Sequence, residues 1–252
     1  MLDFPALSII IPTKDRPELL VRALRSVAAQ TFGDHEILVV DDGDGSGAAA
    51  AEAFDPAIRT LATGGAGQVP ARNLGVSLAR GERIAFLDDD DWWAEPGHLA
   101  AMRASGPRQA LLYASGRIVA EGERPDAGAE MPFVAHADVQ AIRRDNRLLI
   151  PGVIYPRALH GNLGPFDEGL PFYWDWDWYL RLFSAGIDVA AAASEAVRIS
   201  ARQETVSAPA NEAARRANLD RLCQKHGLTG IVLRNHESIA RDQSLAAAER
   251  ED

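Results

Sequence analysis

Ile84-Ala85-Phe86-Leu87-Asp88-Asp89-Asp90-Asp91-Trp92-Trp93 carries an apolar strand straight into four consecutive carboxylates and closes on two tryptophans. The apolar part is short and continuous, the pattern of a strand covered on both faces in a parallel sheet. Such sheets bind ligands at the carboxyl ends of their strands. A block of like charges is ordinarily a solvated face. This one lies between a buried strand and large aromatics, and a hard divalent cation is the economical way to neutralise it. Mg²⁺ or Mn²⁺ is therefore the expected cofactor.

The preceding residues repeat the strand theme. Leu7-Ser8-Ile9-Ile10-Ile11 is a buried strand ended by Pro12, and Thr13-Lys14-Asp15-Arg16 is the loop after it. Pro17 fits the first turn of a helix carrying Leu19, Leu20, Ala23, Leu24 and Val27. Ile37-Leu38-Val39-Val40 is a second strand, ending in Asp41-Asp42 and a glycine-rich loop. A helix over 48–53, a strand over 58–61 and a helix opened by Pro70 and stopped by Gly81 lead into the acidic stretch. Alternating strands and helices predict an α/β chain with a mainly parallel, doubly wound sheet. Neither loop reads G-x-G-x-x-G and no G-K-[ST] occurs, which removes the dinucleotide and P-loop readings. Asp42 alone reads as an Asx-turn residue, or as a carboxylate accepting hydrogen bonds from a base or ribose.

Beyond residue 95 the pattern loosens. A helix from Pro96, strands at 110–113 and 117–119, a polar loop over 121–132, a short helix within 138–147 and a strand at 151–155 are expected. Trp174-Asp175-Trp176-Asp177-Trp178 alternates like a strand, but Leu180, Leu182 and Phe183 continue it as a helix to Gly186. Asp175 then serves as a helix N-cap, or as an aspartate on an aromatic wall suited to the apolar faces of sugar rings. Edge strands are expected within 187–202. An amphipathic helix from Pro209 carries Leu219, Leu222 and Cys223 on one face, and the polar stretch from Asn235 ends frayed.

The 252 residues carry 36 acids against 26 bases, a net charge of −10 that disfavours nucleic acid as a partner. The single cysteine excludes an internal disulfide and a thiolate zinc site. No signal peptide or membrane span is read, so a soluble, cytoplasmic protein is expected. The six histidines show no metal spacing and read as surface or capping residues.

These motifs, in this order, resemble the family 2 inverting glycosyltransferases of the GT-A fold. Ser8–Thr13 is similar to the family's opening strand, Ser26–Phe32 to its S-x-x-x-Q-T-F helix end, Val39–Gly43 to its base-binding strand end and Ala71–Gly75 to its donor-side helix. Phe86–Asp91 resembles the D-x-D region, and Phe166-Asp167-Glu168 leads to an acidic motif at Trp174-Asp175. The departures are the fully acidic D-D-D-D and Trp174 where many relatives carry Glu. The resemblance implies a GT-A catalytic domain over 1–208, with a nucleotide-sugar half to about 110 and an acceptor half after it, and a helical extension over 209–252. It implies Asp42 at the nucleobase, Asp88 and Asp89 near ribose and diphosphate, Asp90 on the metal and Arg72 at the phosphates. Pro12 and Thr13 border the donor, Trp174 and Trp176 the acceptor, and Asp175 is the general base, with Asp177 the competing choice. The donor is a UDP-, dTDP- or GDP-sugar. The acceptor is a hydroxyl-bearing saccharide or a lipid-linked one, which would bring the enzyme to the inner face of the membrane. A non-catalytic nucleotide- or carbohydrate-binding module keeps the same residues without needing a base. A sugar nucleotidyltransferase requires a glycine-rich, basic loop after the first strand, which Lys14-Asp15-Arg16 lacks.

Overall fold

The computed structural model describes residues 4–122, 126–202 and 211–251. The first half alternates as its sequence predicts: β1 (Leu7–Thr13), α1 (Pro17–Ala28), β2 (His35–Asp41), α2 (Ser46–Phe54), β3 (Arg59–Ala62), α3 (Gln68–Leu78) and β4 (Arg83–Phe86). Every residue of β1 is buried, as its unbroken apolar run requires of a central strand. Pro17 opens α1 at the first turn, where its missing N–H costs nothing. The middle of the chain supplies β5 (Trp92–Trp93), α4 (His98–Ala104), β6 (Leu111–Tyr113), β7 (Gly116–Ala120), β8 (Glu130–Phe133), α5 (Val139–Ile142) and β9 (Val153–Pro156). Then come α6 (Leu159–Leu163), α7 (Trp174–Ser184), β10 (Val189–Ala191), β11 (Val197–Ala201), α8 (Glu212–His226) and α9 (His236–Glu251).

Seven strands form one sheet in the order β10-β6-β9-β4-β1-β2-β3. Its β3-β2-β1-β4 part is parallel, β9 runs antiparallel to both its neighbours, and β10 is parallel to β6. Thr13 pairs with Asp41 and Ile10 with Phe86, so the carboxyl ends of β1, β2 and β4 lie side by side. A second sheet, β5-β11-β7-β8, stands apart. The acidic run therefore spans the gap between β4 in one sheet and β5 in the other.

Helix α3 crosses the first sheet closely because Gly75 has no side chain: a Cβ there would lie 2.6 Å from Ile10 Cγ2. Trp178 packs fully buried between Tyr155, His160 and Phe166, at ring separations of 4.6, 5.2 and 5.7 Å. The alternating Trp-Asp run is thus helical, with Trp174 and Trp178 one turn apart on the face that meets the aromatic core.

Several expectations need correction. Val197–Ala201 is an interior strand, held between β5 and β7, while only Val189–Ala191 lies at an edge. Glu130–Phe133, expected within a loop, is a strand paired with β7. Gly81 is not the stop of α3, which ends at Leu78 with Ala79 as its C-cap; it is glycine because a Cβ would sit 2.5 Å from the Ser8 backbone nitrogen. Asp175 lies inside the first turn of α7, whose N-cap is Tyr173. His98 is not a surface residue: it is buried and bonds Ser194 at 2.8 Å. The stretch after Asn235 is a helix over His236–Glu251, and Asp252, at the end expected to fray, lies outside the described residues. Pro209 lies outside the described residues. Leu219 and Leu222 are buried on α8 as expected, with Cys223 half-buried beside them. Gly186 does end α7, with a φ of 68° that favours glycine.

Candidate active site

A cavity of about 1150 Å³ opens where the carboxyl ends of β1, β2 and β4 face α7 and the C-terminal helices. Pro12, Thr13, Asp42, Arg72, Asp88, Asp89, Asp90, Trp174, Asp175 and Trp176 all line it. These ten residues meet in one space, although 164 positions separate Pro12 from Trp176.

At the end of β2 the two aspartates divide their work. Asp41 accepts the backbone N–H groups of Gly43 and Ala48, both at 2.8 Å, and so builds the turn into α2. The turn role weighed for Asp42 thus belongs to its neighbour. Asp42 instead faces the cavity, accepting from Thr63 Oγ1 at 2.5 Å and from the Gly67 N–H at 3.0 Å, with Lys14 Nζ at 3.6 Å. Burial raises its pKa, but the Thr63 and Gly67 hydrogen bonds and the Lys14 charge outweigh burial and hold it below the usual carboxylate range.

The acidic run resolves into four different environments. Asp89 is sealed: Thr13 Oγ1 donates to it at 2.7 Å and Arg16 grips both its oxygens. Burial pushes it up to about 6, against the pull of Arg16. Asp91 is buried and accepts the Ser200 N–H at 2.9 Å, tying the run to β11. Asp88 and Asp90 keep 28% and 14% of their side chains exposed, and pair with Arg72 and, at 3.0 Å, with Arg16. Burial, followed for Asp90 by the Asp88 charge and for Asp91 by the Asp90 and Asp88 charges, raises both pKa values. Arg16 does not fully offset this negative charge, even though those aspartates raise its own pKa against the effect of burial. Excess negative charge on hard oxygen donors fits a divalent cation. All of these aspartates line the cavity, but Asp88 and Asp90, spaced i and i+2, keep exposed side-chain surface, while the Asp89 carboxylate is covered by Thr13 and Arg16.

Arg16 is the residue that sequence reading undervalued. It ends a loop in which Asp15 adopts a φ of 52°, a left-handed turn that aspartate tolerates, and this aims the guanidinium at the acidic run. Its only sequence signal was a basic residue following a strand.

Asp175 occupies the opposite wall. Its Oδ1 accepts the Trp176 N–H at 2.8 Å and its Oδ2 accepts Asn146 Nδ2–H at 2.7 Å. Burial pushes its pKa up to about 6, with Asn146, Trp176 and the Arg72 charge pulling against it. Trp174 lies under the Arg72 guanidinium at 4.5 Å, and Trp176 donates its indole N–H to Ile142 O at 2.6 Å. Both rings are about 5% exposed or less, so they brace the base-side wall rather than offer a broad stacking face.

Asp177 does not line the cavity. Fully buried, it receives Arg181 at 3.0 Å, Lys225 at 2.8 Å and His226 at 2.8 Å, and so pins α8 to α7. Arg215, Leu219, Arg234 and Ile239 from α8, α9 and their connection complete the cavity on this side.

A mainly parallel α/β sheet with acidic strand ends facing a helix-borne carboxylate is the architecture of a GT-A glycosyltransferase. The sequence model of glycosyl transferase family 2 matches residues 8–120. The glycosyltransferase YwdF of Bacillus subtilis (strain 168) is 31% identical over 252 residues, covering 96% of this chain and 92% of its own length. The PGL/p-HBAD biosynthesis glycosyltransferase of Mycobacterium bovis (strain BCG / Pasteur 1173P2) is 30% identical over 186 residues, 71% of this chain and 70% of that protein. The crystal structure of S. aureus TarS 1-349 in complex with UDP-GlcNAc superposes with a TM-score of 0.62 at 20% identity, over 86% of this chain and 66% of that one. The chain belongs to glycosyl transferase family 2, and it is a glycosyltransferase with a GT-A type fold.

Proposed function

We propose that this enzyme transfers a sugar from a nucleotide-diphosphate sugar to an acceptor hydroxyl, with inversion at the anomeric carbon and with a divalent metal bound. The carrying observation is that one cavity holds Asp42, Asp88 and Asp90 on one wall and, on the other, Asp175, a carboxylate held by the Asn146 amide and the Trp176 N–H. UDP and UDP-GlcNAc are the ligands of the TarS structures that share the fold, which supports a UDP-sugar as the first donor to try.

In this reading Asp42 accepts a hydrogen bond from the nucleobase, a role its ionised state suits. Asp88 and Asp90 would hold Mn²⁺ or Mg²⁺. Among the described residues no three His, Cys, Asp or Glu side chains converge on a metal by themselves. Oxygens of a bound diphosphate are the natural complement, as is usual for magnesium at phosphate sites. The cation's contribution is Lewis-acid stabilisation of the leaving diphosphate. Arg72, fixed by Asp88 and Trp174, adds a preorganised positive charge on the same wall. Asp175 takes the proton from the acceptor hydroxyl as that oxygen bonds to the anomeric carbon and the sugar–diphosphate bond breaks. One displacement needs one base; Asp145 and Glu237 also line the cavity but are paired with Arg234 and Arg241, whereas Asp175 is held by the Asn146 amide and the Trp176 N–H. Asp177, saturated by Arg181, Lys225 and His226, is unsuited to the task.

The acceptor is a hydroxyl-bearing saccharide or lipid-linked glycan, and the reaction belongs to glycan or glycolipid assembly. The Mycobacterium relative, whose name places it in PGL/p-HBAD biosynthesis, supports that reading. No described helix is long and apolar enough to cross a membrane. A panel of UDP-, GDP- and dTDP-sugars, assayed for release of nucleoside diphosphate with Mn²⁺ and with chelator, tests the proposal. Release from one donor, dependent on metal and lost in Asp175→Asn, is the expected result. Metal-independent release, or none from any donor despite nucleotide binding, would overturn it.

A further inference from the structure

Asp175 is held by neutral donors alone. Among the described residues no Lys, Arg or His hydrogen-bonds its carboxylate, which receives only the Trp176 N–H and the Asn146 side-chain amide. Asn146 lies outside the region matched by the family model and in a segment that carried no signal in the sequence. Its amide is oriented by a 3.4 Å contact from the Leu148 N–H to its Oδ1, which leaves Nδ2–H for Asp175.

The segment around Asn146 belongs mechanically to the C-terminal helices. Asp145 pairs with Arg234 at 2.9 Å, just ahead of α9. Arg143 reaches the carbonyls of His226 and Gly227 at the end of α8, at 3.4 and 3.3 Å. The backbone of Asn146 and Leu148 lies near the His236 ring and raises its pKa against the effect of burial. Two residues beyond the base, Asp177 fastens the same end of α8 to α7. The C-terminal helices thus grip both the helix that carries Asp175 and the loop that orients it.

We infer that Asn146 is a positioning residue for proton transfer, fixing the Asp175 carboxylate toward the acceptor hydroxyl, and that the C-terminal helices hold Asn146 in place for this purpose. The inference rests on Asp175 being the base. A neutral amide suits the role: a cation bonded to the carboxylate would keep it ionised but make it a poor proton acceptor, whereas an amide orients it at little cost in basicity. The charged and titratable groups around Asp175 fit this division. Arg72, from α3, is committed to Asp88 and stacked on Trp174; Arg215, from α8, stands beside Tyr173; Tyr179, from α7, is buried and senses the Asp175 charge. Burial dominates the carboxyl's behaviour, and the Asn146 bond is the largest force opposing it.

The test is a ¹³C NMR titration of the aspartate side-chain carboxyls in the full chain, with the Asp175 resonance identified by its loss in Asp175→Asn. Losing one hydrogen bond to a charged group moves a midpoint by about one pH unit. Asn146→Ala should therefore raise the Asp175 midpoint by about that much. Asn146→Asp, which sets a second carboxylate beside the first, should raise it further. Arg234→Met, which leaves Asn146 intact but cuts its tether, should move it a smaller distance in the same direction. With UDP-GlcNAc and Mn²⁺ as the probe, Asn146→Ala should lower kcat about tenfold with KM for the donor unchanged. A midpoint unmoved in both folded Asn146 variants overturns the inference, and one unmoved in Arg234→Met overturns its C-terminal part. If Asp175→Asn itself keeps full turnover, the base assignment has failed instead.

Discussion

Replacing Asp175 by asparagine should stabilise the folded protein at neutral pH while removing its turnover. An unfolded aspartate titrates near 3.9, whereas burial pushes Asp175 up to about 6 in the fold. The sign follows from proton counting. Between those values the folded carboxyl keeps a proton that the unfolded one has lost, so stability falls as pH rises through the window and levels off above it. About two pH units at 1.36 kcal/mol each make this cost about 3 kcal/mol above pH 6. Asparagine carries no charge and escapes that cost. It satisfies both neighbours only if the Asn146 amide turns over, offering Oδ1 to the new NH₂ and giving up the Leu148 N–H; otherwise a donor faces the new amide's NH₂. That mismatch costs about 1–3 kcal/mol and does not vary with pH. The decisive quantity is therefore the change in the variant's advantage with pH. In urea unfolding, Asp175→Asn should gain about 2–3 kcal/mol on the wild type between pH 4 and pH 7.5. All other titrating groups cancel in that difference. An advantage equal at the two pH values, or one that shrinks as pH rises, would refute the burial argument. Turnover by the variant should fall by roughly 10²–10⁴-fold, and the wild type's acidic limb should lie near pH 6.

Asp42→Ala should weaken nucleotide binding by about 1.5–3 kcal/mol, measured by calorimetry, because one charge-assisted hydrogen bond is lost; unchanged affinity would leave Asp42 only its bonds to Thr63 and Gly67. Asp90→Ala should abolish Mn²⁺ binding that depends on UDP, and metal titrated into the nucleotide complex of the folded variant with wild-type affinity would count against Asp90 as a ligand. Asp177→Ala leaves Arg181, Lys225 and His226 without their shared buried carboxylate. It should cost about 3–5 kcal/mol in unfolding, yet leave nucleotide affinity in the folded variant near wild type. A variant as stable as the wild type would show that the three cations find other partners.

The fold was legible where burial on both faces makes a strand read as a plain apolar run. β1, β2 and β4 declared themselves that way, and their acidic ends located the cavity, because a carboxylate after a buried strand has few structural reasons to be there. The second sheet was legible only in part: the strands expected at 117–119 and within 187–202 are β7 and β11, but β11 read as an edge and β8 as loop. Its strands are short and interrupted by Arg117, Arg198 and Glu130, side chains that pair with one another across the sheet. Polar residues that satisfy each other between strands look, in sequence, like loop and edge. Gly81 misled for a related reason: a glycine demanded by a backbone approach two strands away cannot be told from a helix stop by local pattern.

The site divides along the same line. Residues proposed to touch ligand, such as Asp42, Asp88, Asp90 and Asp175, carry their signal in the residues beside them. Residues that act by holding those groups carry none, because their partners are remote in sequence: Arg16 meets Asp89 and Asp90 across 73 and 74 positions, and Asn146 meets Asp175 across 29. The choice between Asp175 and Asp177 shows why this matters. Both lie in one acidic-aromatic run and both fall in the first turn of the same helix. They differ only in what remote chain brings to them: α8 brings Lys225 and His226 to Asp177, joining its helix neighbour Arg181, while the loop before β9 brings one neutral amide to Asp175. A carboxylate surrounded by cations is a fastener, and one held by neutral donors beside a cavity keeps its basicity. The C-terminal helices make that distinction, so the chemistry of the α7 motif is decided by chain that lies outside it.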